Sequence, residues 1–280
     1  MDVRAYDESA KFRAAIGDFY TADPVRHTLA VTVIHRFLDD PAITPVMLTV
    51  HDEQGLHGVA FRTAPWPMVV SGLPVDAAGP AADVLAETDP ALPGVNGPRE
   101  NAEAFAGAWA ARTGATVREV IGGMLYRLGD LAEPAVAGRA RLAGEADVPL
   151  LVAWRRDFQV ESRGHDRYTE RSEELIRRGF ALGDGVLIWE RDGQPVSWAN
   201  VGRPVAGMCR VGPVYTPPEH RAHGYGSAAT AAASRWALAQ GAGHVLLFTD
   251  LANPTVNSIY PKIGFRPVGP TAELEFTVTS

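Results

Sequence analysis

The chain has 280 residues, of which 46% are hydrophobic and 21% charged, and its formal net charge is −7. This length predicts two domains or one large domain, and the composition is typical of a folded protein rather than a mainly disordered one. The acidic balance argues against a general nucleic-acid-binding protein, because such a protein needs a basic face to displace counterions.

Cysteine content and hydropathy narrow the class of protein further. The single cysteine, Cys209, excludes an intrachain disulfide and a thiolate zinc cluster. The N-terminal residues MDVRAYDESAKF lack the apolar core of a signal peptide, and no apolar run reaches the roughly 18–20 residues of a membrane helix. The sequence therefore predicts a cytoplasmic protein that does not span a membrane.

Two segments of the chain repeat one another. Residues Met47–Pro74 and Val186–Pro217 each read as a strand, an acidic turn that contains glycine, a second strand, a bend with proline and a third strand. Apolar runs bounded by turn residues in this way are typical of antiparallel hairpins and meanders.

The elements predicted after the third strand also match between the two halves. In the first half they are a helix at Ala81–Glu87, a helix at Glu100–Thr113 that ends before a glycine, and a final strand at Ala115–Leu128. In the second half the same elements are predicted at Gly224–Gln240, Asn257–Ile263 and Arg266–Val278.

This repetition predicts a tandem duplication, with one domain at 1–134 and a second at 140–280. Its joint lies near Gly129–Gly144, which is rich in alanine, glycine and proline and lacks a clear period. The alternative is one large α/β domain in which strands and helices alternate repetitively by chance.

The most informative stretch begins at the predicted strand Arg210–Thr216. Pro217 and Pro218 end this strand, the sequence RAHGYG follows from Arg221, and an alanine-rich helix comes next. The first N–H groups of a helix have no internal partner and lie at the positive end of its dipole. Glycines admit a ligand close to the backbone, and an arginine suits phosphate oxygens. The stretch therefore predicts a pyrophosphate site, with a simple tight turn as the alternative.

Here the chain resembles the GNAT N-acetyltransferase superfamily. The resemblance rests on VYTPPEHRAHGYGS, followed about thirty residues later by TDLANPTVNSIYPKIGF. It covers Leu142–Phe276 loosely and Val211–Phe265 closely, and the first half looks like a degenerate copy of the same domain. The fold it implies is α/β (α+β), with two tandem GNAT-like domains, each a mixed, mostly antiparallel twisted sheet flanked by helices.

The resemblance also implies which residues bind acetyl-coenzyme A. The strand end would offer backbone groups to the pantetheine arm, the glycine loop would bind the pyrophosphate through its N–H groups, Asn253 would lie beside the pantetheine or thioester, and Tyr260 would point at the sulfur. The implied binding residues are Val214, Tyr215, Thr216, Arg221, Ala222, His223, Gly224, Tyr225, Gly226, Ser227, Asn253 and Tyr260.

The implied reaction transfers an acyl group from a thioester to an amine. A phenol is a proton donor at neutral pH, so Tyr260 is predicted as the acid that assists the leaving thiolate; the alternative is a half-buried core tyrosine. Many family members carry a glutamate on the strand before the glycine loop, and this chain has none there. Glu161 is the predicted base, with Asp250, His220 or a water chain as alternatives and a solvated carboxylate as the competing interpretation of Glu161.

Other side chains are assigned no catalytic role. Glu219, His220 and His223 are interpreted as surface residues, since a catalytic metal needs three well-placed ligands, and no metal is predicted. Cys209 is interpreted as a small buried hydrophobe.

The first half lacks the features of a coenzyme A site. Its corresponding loop has no arginine and carries Asp76 where positive charge is wanted, while Phe105 or Trp109 stands in the place of the tyrosine. This half is therefore predicted to be structural and to form a wall of the acceptor pocket.

The function predicted is an acetyl-coenzyme A-dependent N-acetyltransferase, in which the amine of a small molecule or amino-acid-like acceptor attacks directly in a ternary complex. The alternatives are a non-catalytic acyl-coenzyme A-binding or regulatory protein, and other acyl-coenzyme A chemistry such as O-acyl transfer on the same scaffold. The expected partner is the small amine, with no nucleic acid or membrane, and a homodimer stays open.

Overall fold

The computed structural model describes residues 1–164, 166 and 169–277. Its strands are β1 (Asp2–Tyr6), β2 (Pro45–Asp52), β3 (Gly55–Thr63), β4 (Met68–Gly72), β5 (Gly94–Pro98), β6 (Thr116–Leu128), β7 (Arg139–Leu142), β8 (Gly185–Arg191), β9 (Gln194–Val201), β10 (Met208–Tyr215), β11 (His244–Asp250) and β12 (Phe265–Thr277). Its α-helices are α1 (Ser9–Ile16), α2 (Thr28–Phe37), α3 (Ala78–Thr88), α4 (Arg99–Thr113), α5 (Val148–Arg163), α6 (Ser172–Ala181), α7 (Tyr225–Ala239) and α8 (Pro254–Ile259).

The first compact unit comprises Met1–Leu125, Asp250–Ala252 and the chain from Val268 onward. Strands β1 to β4 form an antiparallel meander, and β5 pairs with β4 in parallel. The C-terminal strand completes this unit, because Thr271–Glu275 of β12 pairs antiparallel with Gly94–Pro98 of β5.

Helices α3 and α4 supply much of the first unit's core. Phe105 and Trp109 of α4 are fully buried, and Phe276 of β12 stacks on Trp109 with 5.7 Å between ring centroids. A single cluster joins these rings to apolar residues of β2 to β5 and β12. Burial of this size is the main favourable contribution to folding.

The second compact unit comprises Tyr126–Thr249 and Asn253–Pro267. Strands β7, β8, β9 and β10 are antiparallel neighbours in that order, and β11 pairs with β10 in parallel. One hydrophobic cluster of this unit lies between the sheet and helices α5 and α6, and it includes Leu151, Trp154, Ile176 and Trp198.

The predicted fold class is confirmed, since each half has a mixed sheet flanked by helices. Strand β7 lies within Gly129–Gly144, the stretch predicted to join the two domains. Arg141 of this strand binds the nearby Asp147 at 2.7 Å and also Glu190 at 2.5 Å, which lies far away in the sequence. The predicted helix at Asn257–Ile263 begins earlier, at Pro254, and its last four residues form a 3₁₀ turn. Val278, the predicted end of the last strand, lies outside the described residues.

Candidate active site

Strands β10 and β11 separate part-way along their length. Their parallel pairing joins Met208–Arg210 to His244–Leu246, and within the described chain no pairing between them continues beyond Arg210. From that point β10 pairs only with β9. One edge of β10 therefore presents backbone groups that are not used in the sheet.

A bulge and two hydroxyl groups set the end of β10. The pairing with β9 shifts register between Val211 and Val214, and Gly212 within the bulge has a φ of +143°, which favours glycine. The Ser197 hydroxyl of β9 donates to the Tyr215 carbonyl at 3.0 Å and lies 2.9 Å from the Thr216 hydroxyl. Ser197 thus fixes the last residues of β10 where the predicted loop begins.

The glycine loop leads directly into α7. The N–H of Ala228 bonds to the carbonyl of Gly224 at 3.0 Å, whereas the N–H groups of Tyr225, Gly226 and Ser227 have no backbone acceptor in the described structure. Gly224 adopts a φ of +79°, a conformation that favours glycine. These N–H groups lie at the positive end of a 15-residue helix, so the loop has the chemistry of a phosphate site.

Arg221 joins this loop to helix α5 through Glu161. Its guanidinium donates to the Thr216 carbonyl at 3.0 Å and pairs with Glu161 Oε2 at 2.5 Å. The other carboxylate oxygen of Glu161 accepts a hydrogen bond of 3.2 Å from the Tyr215 hydroxyl. The structure therefore brings three predicted site residues into one contact network.

Burial, followed by the negative charge of Glu161, raises the pKa of Tyr215 to about 12. The phenol therefore stays protonated at neutral pH and remains a donor to Glu161. Both oxygens of that carboxylate are thus engaged.

Tyr260 lies in the 3₁₀ turn after α8 and is buried, with only 8% of its surface exposed. Its ring packs edge-on against Phe265 and lies 6.5 Å from the ring of Tyr126. Burial raises the pKa of Tyr260 to about 12, while a hydrogen bond with the Thr230 side chain acts in the opposite direction. This hydroxyl is protonated across the physiological range.

The remaining predicted residues have varied surroundings. Asn253 caps α8, since its side chain accepts a hydrogen bond from the Val256 N–H at 3.1 Å. His223 stacks on Tyr225 at 5.4 Å beside the loop. Asp250 falls in the first compact unit and accepts a hydrogen bond from the Ala252 N–H at 2.8 Å. Among the described residues, no three His, Cys, Asp or Glu side chains form a group that could hold a metal.

Comparisons with known proteins identify this arrangement. Residues 149–265 match the family model described as "Acetyltransferase (GNAT) family". This match lies within the second half of the chain. A search of curated proteins gave no match.

Solved structures extend the likeness to the whole chain. A GNAT-family acetyltransferase from Colwellia psychrerythraea is 11% identical over 100% of both chains, with a TM-score of 0.62. A tandem GNAT protein from the clavulanic acid biosynthesis pathway is 13% identical over 99% of this chain and 98% of its own, with a TM-score of 0.57. A GCN5-related N-acetyltransferase from Kribbella flavida is 21% identical over 82% and 86%, with a TM-score of 0.55. The chain therefore has the tandem GNAT fold. The match of residues 149–265 to the acetyltransferase family supports acyl-coenzyme A-dependent acetyl transfer in general.

In the first GNAT-like half, the parallel pairing of β4 and β5 joins Met68 and Val69 to Val95 and Asn96. A Cβ atom on Gly97 of β5 would lie 3.0 Å from the Val70 side chain and 3.3 Å from the Ser71 N–H nitrogen of β4. The two strands are therefore in close contact at this level. Asp76, in the loop that follows β4, binds His57 at 3.0 Å. No described helix in either half combines the length and apolar character needed to cross a bilayer.

Sequence analysis missed several residues that shape this GNAT site. Ser197 and Thr230 are fully buried hydroxyl residues in a β-strand and an alanine-rich helix. A polar residue inside an apolar pattern is the signal that could have identified them, because buried hydroxyl groups need hydrogen-bond partners. Gln159 of α5 is a further buried polar residue of this kind.

Proposed function

We propose that the protein is an acetyl-coenzyme A-dependent N-acetyltransferase that acts on the amine of a small molecule. The observation that carries this proposal is the set of free N–H groups at Tyr225–Ser227, which begin α7 directly after the unpaired edge of β10. A phosphate-binding helix start beside a strand with free backbone groups fits an extended ligand that has a pyrophosphate at one end.

Acetyl-coenzyme A would supply the activated acetyl group. The unpaired edge of β10 at Val214–Thr216 would hold its pantetheine arm through backbone hydrogen bonds. The N–H groups of Tyr225–Ser227 would hold the pyrophosphate, and Arg221 would add a fixed positive charge next to them. Asn253 would contact the pantetheine or thioester.

Tyr260 would hold a proton at its hydroxyl oxygen and offer it to the departing sulfur. Because the pKa of Tyr260 is raised to about 12, the phenol enters the reaction in its donor form. The leaving thiolate, whose thiol has an ordinary pKa of about 8.5, is a weaker base than the phenolate of Tyr260. Tyr260 would therefore act mainly by hydrogen-bonding the sulfur rather than by complete proton transfer. Stabilising negative charge on a leaving group in this way lowers the barrier.

Glu161 would position the loop through Arg221. Both of its carboxylate oxygens are engaged, one by Arg221 and the other by Tyr215. This network ties α5 to the loop that would receive the pyrophosphate. The role of Glu161 as general base stays a prediction, to be separated from the positioning role by mutation.

Calorimetry and a turnover assay test the proposal together. Titration of the full chain with acetyl-coenzyme A should give saturable binding with one site per chain, and pantetheine, which lacks the phosphates, should bind much more weakly. Release of free coenzyme A with a panel of primary amines should then identify turnover. Absence of binding heat for acetyl-coenzyme A would contradict the proposal.

A second candidate is a protein that binds acyl-coenzyme A without catalysis. It is favoured by the lack of a carboxylate on β10 (Met208–Tyr215) and by the engagement of Glu161. The same assay decides between them, because this candidate predicts binding without coenzyme A release for every amine tested.

A further inference from the structure

Helix α5 contains an arginine for which the described protein provides no counter-ion. The Nε atom of Arg155 is buried and has no hydrogen-bond partner. Burial alone lowers the pKa of this guanidinium, with no contribution from a nearby carboxylate. An arginine cannot escape burial by losing its proton, so a buried guanidinium is normally paired.

Arg62 in the first compact unit shows how this chain treats a buried arginine that is structural. Its guanidinium binds both carboxylate oxygens of Asp89, at 2.6 Å and 2.8 Å. Arg155 has no such carboxylate. Unlike Arg62, Arg155 is only partly buried, so its guanidinium can be reached by a partner that is not part of the fold.

Two further buried polar atoms on the same helix pair also lack partners. Gln159 lies one turn after Arg155 and is 9% exposed, and its Oε1 atom accepts no hydrogen bond. Ser172, the first residue of α6, is 1% exposed and its hydroxyl is unpartnered. Helix α6 packs on α5. Since residues four apart lie on the same helix face, Arg155 and Gln159 present a donor and an acceptor side by side.

This helix lies against the strand that ends at the proposed acetyl-transfer site. The ring of Trp154 is 6.3 Å from that of Tyr215 at the end of β10, and Glu161 binds Tyr215 and Arg221. Arg155 and Gln159 lie between these two contacts along α5. A molecule bound by them would therefore be held by the same helix that contacts the end of β10.

We propose that Arg155 and Gln159 bind the acceptor, and that this acceptor is a small amine that also carries an anionic group, either a carboxylate or a phosphate. This inference rests on the proposed function and names its substrate class. The guanidinium fork matches two oxygens of either anion, and the Gln159 carbonyl oxygen accepts an N–H from the cationic end of the same molecule. Ser172 adds a hydroxyl that can donate or accept.

Paired acceptors test the proposal by turnover. Common amino acids are compared with the primary amines that lack only their carboxylate, and with amines that bear a phosphate, such as phosphoethanolamine. The wild-type protein should show a KM lower by about tenfold or more for one of the two anionic classes than for the carboxylate-free amine. Equal KM values within all pairs would overturn the proposal.

Variants assign that preference to Arg155. Arg155→Met should raise the KM for the preferred acceptor by about tenfold or more and remove the preference, with the Kd for acetyl-coenzyme A unchanged. Arg155→Lys should restore part of the preference. The matched control is Arg156→Met, because Arg156 is the neighbouring arginine, exposed and paired with Asp157 at 3.0 Å; it should leave the KM within about twofold. An unchanged KM in Arg155→Met would overturn the assignment.

Thermal unfolding separates this proposal from a structural role and from failure of the proposed function. A buried charge without a partner destabilises the ligand-free fold, so Arg155→Met should raise the Tm, whereas a structural arginine would lower it. If no amine is acetylated, the proposed function fails. The anion site is then tested separately, by the effect of its ligands on the Tm. Amino acids or phosphoethanolamine should raise the Tm of the wild type but not of Arg155→Met, and equal shifts in both would overturn the site.

Discussion

At the scale of single residues, the Tyr260 hydroxyl is the group whose removal should affect chemistry without affecting binding. Tyr260→Phe preserves the buried ring and its edge-on contact with Phe265, and removes only the donor. We expect kcat to fall by about a hundredfold or more, as for loss of a hydrogen-bond donor to developing negative charge, with the Kd for acetyl-coenzyme A unchanged. Steady-state kinetics and calorimetry measure the two quantities. Tyr126→Phe is the matched control, since it removes a hydroxyl from a neighbouring buried ring; an equal loss in both variants would deny Tyr260 a specific role.

Glu161 can be tested by a substitution that retains its shape. Glu161→Gln keeps an acceptor for the Tyr215 hydroxyl but removes the charge that pairs with Arg221. Because Glu161 then no longer holds Arg221 and its loop in place, we expect the Kd for acetyl-coenzyme A to rise while kcat stays within about threefold. A general base would behave differently, and a fall in kcat of about a hundredfold, with Kd unchanged, would restore Glu161 to the catalytic role predicted from the sequence.

His27 should make the first unit sensitive to acid. Burial, assisted by Arg26, lowers the pKa of His27 from 6.5 to about 4, and its Nδ1 lies 3.1 Å from the Ser71 hydroxyl. The unfolded chain therefore binds a proton between pH 6.5 and 4 that the folded chain does not, so stability is present above pH 6.5 and is lost as the pH falls.

Urea unfolding at pH 7 and pH 5 measures this loss. Between the two values, the wild type should lose about 1–2 kcal/mol more of its free energy of unfolding than His27→Gln, which has no proton to take up at that position. Equal losses in the two proteins would show that His27 is not responsible for acid sensitivity.

At the scale of elements, Gly224 in the loop before α7 and Gly193 in the β8–β9 turn have matched backbone conformations. Gly224 has a φ of +79° in the loop, and Gly193 has a φ of +78° in the β8–β9 turn, where an added Cβ meets nothing within 4 Å. An alanine at either position should cost about 1 kcal/mol of stability through the strained backbone.

Only the Gly224→Ala substitution should weaken the binding of acetyl-coenzyme A. It places a methyl group 2.9 Å from the Val136 side chain and shifts the N–H groups of the following turn. We expect an increase in Kd of about tenfold or more by calorimetry, whereas Gly193→Ala should bind as the wild type does. Equal binding by both variants would remove the loop from the site.

Local sequence signals predicted most of these elements and fewer of the contacts between them. Turn residues and alternating apolar positions gave the hairpins of both halves, and the alanine-rich helix after Gly224 follows from propensity. Strand β7 did not follow, because it is held by Arg141 and Glu190, which are distant in the sequence. The same limit applies to the site. Sequence analysis named Glu161, Tyr215 and Arg221 as separate candidates, and only the fold shows that they contact one another.

At the scale of the whole molecule, the repeated pattern predicted a tandem duplication and the resemblance implied two GNAT-like halves, and this tandem fold is confirmed. Propensity could not show which sheet receives each strand, since strand pairing depends on long-range packing. The C-terminal strand is the clearest instance: Thr271–Glu275 pairs with β5 (Gly94–Pro98), which belongs to the first half of the chain. Whether 1–134 and 140–280 fold independently stays a prediction, and the contribution of β12 to the first unit bears on it directly.

Substitution of Phe276 tests how much β12 contributes to the stability of the first unit. Its ring is 8% exposed and stacks on Trp109 within the core of the first unit, although it is only four residues from the end of the chain. Replacing a buried phenylalanine by alanine leaves a cavity, so Phe276→Ala should lower the free energy of unfolding of the first unit by about 3 kcal/mol in urea titrations. Val268 lies on the same strand with 47% of its surface exposed, and Val268→Ala should change that energy by less than about 0.5 kcal/mol.

By the same reasoning, a fragment 1–134 lacks the strand that covers β5 and should fail to give a cooperative unfolding transition; a stable, cooperative fragment would show that β12 is dispensable to the first unit.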